Sequence, residues 1–190
     1  MSFGEDDYEA AAARLCVPAS AIKAVAGVEA GGATHWNIAG ALRPPVRLEA
    51  HWFGKLTSYR FNASYPAISC TRWTPGLAAS TWAGAWAQVE AACALDKDVA
   101  LQATSWGAFQ IMGFHWKALG YANVQEMVAA MDTAGGQLDA FVRFVEVDPV
   151  LLDALRRQDW HAFAGRYNGP GQVDHYAGRI AQAYARHGEE

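Results

Sequence analysis

The chain has 190 residues, 52% of them hydrophobic and 18% charged, and its 15 Lys and Arg against 19 Asp and Glu leave a net charge of -4. A chain of this length can bury roughly 70% of its unfolded surface, which is enough for one core without disulfide or metal cross-links. We therefore expect a single domain spanning residues 1–190. The mild acidity gives no reason to hold phosphates, so nucleic acid is not an expected partner.

The sequence carries no sign of membrane insertion or export. No apolar run approaches the roughly 18 residues of a membrane-spanning helix, and residues 1–7 are acidic where a signal peptide would be basic and then apolar. The cysteines at 16, 70 and 93 form no CxxC pair, and the histidines lack zinc-ligand spacing. We expect a protein made in the cytoplasm, with reduced core thiols and with neither metal nor cofactor.

The pattern of apolar residues predicts a mainly α-helical fold. About one residue in five is Ala, and apolar residues recur mostly at spacings of three and four. A first helix is predicted over 7–16, and a second opens at Pro18 and stops at Gly31. Residues 34–75 hold most of the prolines and are predicted to form a loop-rich lobe with one short helix around 49–56, which also allows a small β-hairpin. The remaining helices are predicted over 78–96, 107–112, 123–131, 134–147, 150–157, 159–166 and 174–187.

Glu29 is the first residue whose position suggests chemistry. A carboxylate at the C-terminal end of an apolar helix gains nothing from the helix dipole, which favours cations there. Such surroundings raise its pKa, and a Glu that stays protonated near neutral pH can act as the general acid in glycosidic cleavage. Taken alone, Glu29 fits a solvated side chain at a helix end better than a catalytic one.

Residues 103–113 form a second candidate segment. Ser105 is predicted to cap a short helix, Gly107 to allow close approach of the backbone, and Gln110 to place an amide on the same face. Trp106, beside Gly107, is the tryptophan expected to reach a cleft, since aromatic faces stack on pyranose rings. An amide and a bare backbone suit a sugar, although a capped, buried helix would have the same pattern.

A third candidate segment covers residues 166–171, where a helix ending in Tyr-Asn runs into a Gly-Pro-Gly turn. Tyr167 offers a ring face and a hydroxyl, and Asn168 offers a donor and an acceptor. The turn would expose both side chains. By itself the segment is also an ordinary helix stop.

The three segments together resemble known peptidoglycan-cleaving enzymes. Glu-x-Gly-Gly, then Ser-x-Gly-x-x-Gln-Ile-Met, then Tyr-Asn-x-x-Gly is the order found in goose-type lysozymes and soluble lytic transglycosylases. More closely, VEAGG, RPPVRLEAHWF, LQATSWGAFQIMGFHW, DWHAFAGRYNGPGQ and YAGRIAQAY resemble the phage-type N-acetylmuramidase domain family, found in endolysins of phages that infect Gram-negative bacteria. The resemblance covers about residues 8–187. It implies a lysozyme-like fold that cleaves between N-acetylmuramic acid and N-acetylglucosamine.

The resemblance also implies roles for individual residues. The family's catalytic Glu falls on Glu29 and its second acidic position on Glu49, while Gln110, Tyr167 and Asn168 fall on its sugar-contacting positions. In lytic transglycosylases the Gln motif follows the catalytic Glu closely, whereas here the lobe lies between Glu29 and the Gln motif. Glu49 therefore falls where other lysozymes carry a lobe that faces the general acid across the cleft. Glu49 is also compatible with a structural role beside Arg47, His51 or a backbone turn.

Three functions fit these observations. The first is a muramidase that hydrolyses peptidoglycan and lyses the host cell. The second is a lytic transglycosylase, which would use the sugar's own N-acetyl group and give 1,6-anhydro products. The third is a non-catalytic, lysozyme-like protein that binds peptidoglycan. Because no secretion signal precedes a cell-wall enzyme, the resemblance implies a monomeric endolysin that stays in the host cytoplasm until a holin opens the membrane, and then acts in the periplasm on the cell wall.

Overall fold

The computed structural model describes residues 2–188, and over that range the chain is mainly α-helical with two small antiparallel sheets, as the composition predicted. The helices are α1 Glu5–Leu15, α2 Ala19–Ala30, α3 Ala50–Leu56, α4 Trp82–Leu95, α5 Lys97–Gln102, α6 Val124–Ala130, α7 Ala134–Glu146, α8 Pro149–Arg156, α9 Trp160–Tyr167 and α10 Val173–Gly188. The strands are β1 Trp36–Ile38, β2 Ala41–Arg43, β3 Val46–Leu48, β4 Thr104–Trp106 and β5 Ile111–Met112. Single 3-10 turns lie at Gly113–His115 and Pro170–Gln172.

Helix α2 is a core helix that packs against both α1 and α10. Pro18 is its N-cap rather than its first residue, and Gly31 ends it at a φ of 64°, a left-handed conformation that glycine adopts at little cost. Within the described residues, no single helix has the length and apolarity of a membrane span. The bent pair of α1 and α2, which meet at 112°, passes that test by length and composition only.

Local capping explains where most of the other helices begin. The side chains that accept a backbone N–H at a helix start are those of Thr81, Asp96, Asn123, Thr133, Asp148 and Asp159. Helix α4 therefore starts at Trp82 and not at 78, because Thr81 accepts from the Gly84 N–H at 3.1 Å. Asp96 ends α4 and caps α5, a six-residue helix that the sequence analysis did not predict.

The helix predicted over 107–112 is wrong. Residues 104–106 and 111–112 are strands of a three-stranded sheet in the order β3-β4-β5, in which Ser105 lies opposite both Arg47 and Met112. Ser105 is therefore a residue of the middle strand and caps no helix. The turn between the strands has positive φ values of 72° at Gly107 and 49° at Gln110, which no right-handed helix allows.

The predicted lobe is present and contains both expected elements. Strands β1 and β2 form the hairpin, and α3 is the short helix. Strand β3 joins this lobe to the rest of the molecule through the pairing of Val46 with Trp106 and of Leu48 with Thr104. The backbone N–H of Glu49 then donates to the Ala103 carbonyl at 3.0 Å, which fixes the start of α3.

The cysteines are free thiols, but they are not all in the core. Cys70 and Cys93 are half-buried, as expected of apolar thiols. Cys16 is exposed, because it follows the last residue of α1 in a left-handed conformation with a φ of 56°. The prediction of core thiols is therefore wrong for Cys16.

A buried glutamine joins the lobe to the helical core. The Gln137 side chain is 1% exposed; its Oε1 accepts from the Ala108 N–H at 2.9 Å, and its Nε2 donates to the carbonyls of Thr34 and Met131, each at 2.8 Å. These contacts hold together the base of the lobe, the turn after β4 and the start of α7. No sequence motif pointed to this residue.

We expect Gln137→Leu to destabilise the fold by about 3–5 kcal/mol, because a side chain of similar size would leave three buried backbone groups without partners. Urea unfolding followed by circular dichroism measures the change. Gln172→Leu, at an exposed position in the second 3-10 turn, is the matched control and should change the free energy of unfolding by less than about 0.5 kcal/mol. Equal stability of the two variants would contradict the structural role of Gln137.

Candidate active site

Glu29 lies in the last turn of α2, a helix that packs against α10. Its side chain is half-buried, and Oε1 accepts from the Asn168 Nδ2–H at 2.7 Å. Asn168 directly follows α9, so the helix end brings the amide to the carboxyl. The structure thus brings together two residues that the sequence analysis assigned to one site from motifs 139 positions apart.

Burial raises the pKa of Glu29 above that of an ordinary glutamate, although the Asn168 hydrogen bond and the positive charge of Arg179 act in the opposite direction. Arg179, on α10, is held near Glu29 by a long hydrogen bond of 3.4 Å from Nη2 to the Val28 carbonyl. Burial is the largest cause, as expected for a carboxyl in apolar surroundings. Glu29 can therefore hold a proton at a higher pH than a solvated carboxyl.

Asn168 also carries a polar atom that makes no hydrogen bond among the described residues. Its Oδ1 is buried and has no hydrogen-bond partner within residues 2–188. A buried acceptor without a partner costs about 1–3 kcal/mol, so such groups are often completed by a ligand. The Asn168 amide can accept from an N–H or O–H while it continues to donate to Glu29.

Glu49 is the second carboxyl in this region, at the junction of β3 and α3. Its Oε1 lies 3.3 Å from Arg47 Nε and its Oε2 lies 3.5 Å from His51 Nδ1. The side chain is 19% exposed, and although it is the N-cap of α3 it makes no capping hydrogen bond. Burial raises the pKa of Glu49 more than the charge of Arg47 lowers it.

Tyr176, on α10, relates the two carboxyls to each other. Burial raises the pKa of its hydroxyl, and the negative charges of Glu29 and Glu49 raise it further, while Arg47 and Arg179 lower it. Both carboxyls are therefore close enough to Tyr176 to act on its phenol. No role for Tyr176 was expected from the sequence, although it opens the YAGRIAQAY segment, where Tyr176 and Arg179 are one helical turn apart.

Ser105 and Gln110 form a fixed pair at the turn next to Arg47. The Ser105 hydroxyl donates to Gln110 Oε1 at 3.0 Å, and Gln110 Nε2 donates to the Gly107 carbonyl at 2.9 Å. Gln110 and Arg47 line one concavity, and Arg47 and Glu49 line the adjoining one; together these two concavities are the cleft. Ser105 itself is buried.

Two predicted binding residues do not reach the cleft. Trp106 is 1% exposed and donates from Nε1 to the Leu101 carbonyl at 3.0 Å, so its predicted place in the cleft is wrong. Gly107 is buried as well. Its φ of 72° favours glycine, and a Cβ there would also lie 3.0 Å from Gln137 Cγ, so local backbone and packing account for this glycine without a ligand.

Tyr167 is half-buried, and its ring packs against other aromatic rings. Its ring stacks on Phe163 with the centroids 5.2 Å apart and meets the edge of Phe144 at 5.4 Å. Its hydroxyl donates to the Phe109 carbonyl at 2.6 Å. Burial and the charge of Glu29 raise the pKa of this phenol well above its usual value. Tyr167 therefore connects α9 to the turn after β4 and supports Asn168, the next residue.

The helical fold with its small lobe, the half-buried carboxyl of Glu29 and the cleft beside Glu49 are the features of a lysozyme-like glycoside hydrolase. Among residues 2–188, no group of three or more His, Cys, Asp or Glu side chains is arranged to hold a metal ion. The family model for N-acetylmuramidase matches residues 18–188. The chain belongs to this family.

A solved structure supports the same assignment. The crystal structure of the Burkholderia AP3 phage endolysin is 40% identical to this chain and superimposes with a TM-score of 0.84. The alignment covers 99% of this chain and 71% of that chain. No curated protein matches the sequence.

Proposed function

We propose that the protein is a phage endolysin that hydrolyses the bond between N-acetylmuramic acid and N-acetylglucosamine in peptidoglycan and thereby lyses the host cell. Membership of the N-acetylmuramidase family and the likeness to a phage endolysin support this proposal. The single observation that carries it is Glu29, a half-buried carboxyl with a raised pKa and an Asn168 N–H on one oxygen.

In the proposed reaction, Glu29 gives its proton to the glycosidic oxygen as the bond from that oxygen to the anomeric carbon breaks. The bonding electrons go to the leaving oxygen, and Glu29 becomes an anion next to the Asn168 N–H and the charge of Arg179. Glu49 takes a proton from a water that attacks the anomeric carbon from the opposite face. The raised pKa of Glu49 makes it a stronger base than a solvated carboxylate. A water held by the backbone is the alternative nucleophile if Glu49 has only a structural role.

Gln110 and Asn168 are the residues that we propose to position the sugar. Both carry neutral amides that match N-acetyl and hydroxyl groups, and an amide cannot exchange protons usefully at neutral pH. The unpartnered Asn168 Oδ1 suits the N–H of an N-acetyl group. Three other predicted residues support these amides and do not contact the sugar themselves. Ser105 and Gly107 hold the Gln110 side chain by hydrogen bonds, and Tyr167 directly precedes Asn168.

Mass spectrometry of digested peptidoglycan tests the proposed activity. Hydrolysis gives products with reducing N-acetylmuramic acid ends, transglycosylation gives 1,6-anhydro ends, and a binding protein gives no products. We expect reducing ends, because Glu49 is a second carboxyl with a raised pKa and offers a base for water. Anhydro ends or an absence of products would overturn the proposed reaction.

We further propose that the protein acts as a monomer and reaches the cell wall from the host cytoplasm when a holin opens the membrane, as the likeness to an endolysin suggests. Expression in a host cell tests this route. Lysis should follow only when the inner membrane is permeabilised, for example with chloroform. Lysis without permeabilisation would contradict dependence on a holin.

Arg179→Gln should move the alkaline limb of the activity profile to higher pH. The Arg179 charge favours the carboxylate form of Glu29 and so lowers its pKa; without that charge, the pKa rises and the acid form persists further into the alkaline range. Initial rates of peptidoglycan clearing between pH 4 and 9 measure the limb. Arg186→Gln, exposed near the end of the same helix, should leave the limb in place. An unmoved or lowered limb in Arg179→Gln would count against Glu29 as the acid.

A further inference from the structure

Three concavities follow one another along residues 73–83, which connect the lobe to α4. The first contains Glu49 and Trp73, and it shares Arg47 with the second, which also contains Gln110. The second shares Ser80, Thr81 and Trp82 with the third, which ends at the β1–β2 hairpin. The candidate active site therefore continues into a groove. We call its outer part, lined by Trp36, Asn37, Ser80, Thr81 and Trp82, the distal groove.

A stacked tryptophan pair forms one side of the distal groove. The rings of Trp36 and Trp82 lie 5.3 Å apart and within 6° of parallel. Trp82 is 55% exposed even though its ring stacks on Trp36, so the pair presents apolar aromatic surface to solvent beside the concavity. Both residues are fixed by their elements, since Trp36 pairs with Arg43 across the hairpin and Trp82 is the first residue of α4 behind the Thr81 cap.

The chemistry of the distal groove fits a sugar better than a charged group. All residues that line its outer concavity are uncharged, and three of them, Asn37, Ser80 and Thr81, are neutral hydrogen-bonding residues. The cation of the adjoining hairpin, Arg43, lies over the Trp86 ring at 3.4 Å and pairs with Glu90 at 2.7 Å. The outer concavity has a volume of about 440 Å³, within the range of ligand sites in proteins.

We propose that Trp82, backed by Trp36, is a distal saccharide subsite that binds a sugar ring of the glycan strand away from the bond that is cleaved. This inference rests on the proposed function, because it extends the same cleft. The open face of Trp82 packs against the apolar face of the pyranose ring, and the neutral side chains of the groove receive its hydroxyl and N-acetyl groups. Long strands therefore bind more tightly than short ones.

Calorimetric titration of chitohexaose and chitobiose into the Glu29→Gln protein tests the subsite without turnover. Adding Trp82→Ala should weaken chitohexaose binding about tenfold, which is the size of one aromatic stacking contact, and should reduce the advantage of the hexamer over the dimer. Trp82→Leu keeps apolar volume but not the flat ring, so it should lose as much chitohexaose affinity as Trp82→Ala. Trp82→Phe restores a flat ring and should retain most of the parent's affinity. Tyr59→Ala, at an aromatic residue 46% exposed elsewhere on the lobe, is the matched control and should bind like the parent.

Failure of this inference is distinct from failure of the proposed function. Equal chitohexaose affinity in the parent, in Trp82→Ala and in Trp82→Leu overturns the subsite, and so does a parent that binds no chitohexaose. Cleavage of peptidoglycan by the wild-type protein, measured separately, decides the proposed function. In that assay Trp82→Ala should raise KM for long glycan strands about tenfold with kcat little changed. An equal fall in kcat with an unchanged KM would instead place Trp82 in the chemical step and contradict the proposal.

Discussion

Glu29→Gln is expected to abolish peptidoglycan hydrolysis while leaving the fold intact. The substitution removes the acidic proton but keeps the size and polarity of the side chain, and its amide oxygen can still accept from Asn168. The loss should reach at least about 10²–10⁴-fold, the usual contribution of a general acid. Clearing of peptidoglycan suspensions and mass spectrometry of the soluble products measure the loss. Glu9→Gln, at an exposed position on α1, should keep wild-type activity.

The same substitution should make the protein more stable at neutral pH. Because burial raises the pKa of Glu29 in the folded state, the stabilisation from its protonated form is complete below the pKa of the unfolded state and is lost as pH rises through the folded pKa. Glutamine does not ionise and so avoids that loss. The melting temperature of Glu29→Gln should exceed that of wild type at pH 7 and match it near pH 4. A lower melting temperature at pH 7 would mean that the anion stabilises the fold, and wild-type lysis by a folded Glu29→Gln protein would refute the proposed mechanism.

The parts of the fold that could be predicted from sequence are those with local causes. Helix α2 was predicted because Pro18 and Gly31 set its ends whatever surrounds them, and the lobe was predicted from its prolines. The strands β4 and β5 were not predicted, because the segment becomes a sheet only by pairing with Arg47 and its neighbours, 58 residues earlier in the chain. Helix α5 escaped prediction because six residues are too few to show a helical period.

The residues of the candidate site also fall into those that could be predicted from sequence and those that could not. Glu29 and Asn168 could be found from motifs, and the structure brings them into contact. Trp106 was misplaced because a tryptophan beside a glycine has the same sequence pattern whether its ring faces a sugar or the core. Tyr176 and Gln137 could not be found, since their roles depend on helix packing that joins distant segments. No short-range pattern carries that information.

Glu49→Gln separates a catalytic role of Glu49 from a structural one. If Glu49 takes the proton from the attacking water, kcat should fall about 10²–10⁴-fold with little change in KM, because an amide cannot act as the base. The acidic limb of the profile, which reports protonation of Glu49, should disappear, while the alkaline limb from Glu29 should remain. The rates and both limbs of the pH–activity profile are measured in the same peptidoglycan assay.

The melting temperature of Glu49→Gln is a second, independent measurement that separates the two roles of Glu49. The contacts of Glu49 with Arg47 and His51, at 3.3 and 3.5 Å, are partly exposed, and ion pairs of this kind contribute about 0–1 kcal/mol. Burial raises the pKa of Glu49 despite Arg47, so its stabilising protonated form is lost as pH rises through the folded pKa, and the anion at pH 7 is net unfavourable for the fold. Glu49→Gln should therefore melt at the wild-type temperature or above it at pH 7. A variant that melts several degrees lower yet keeps most of its kcat would show that Glu49 holds Arg47 and His51 in place, and the water would then be activated by the backbone.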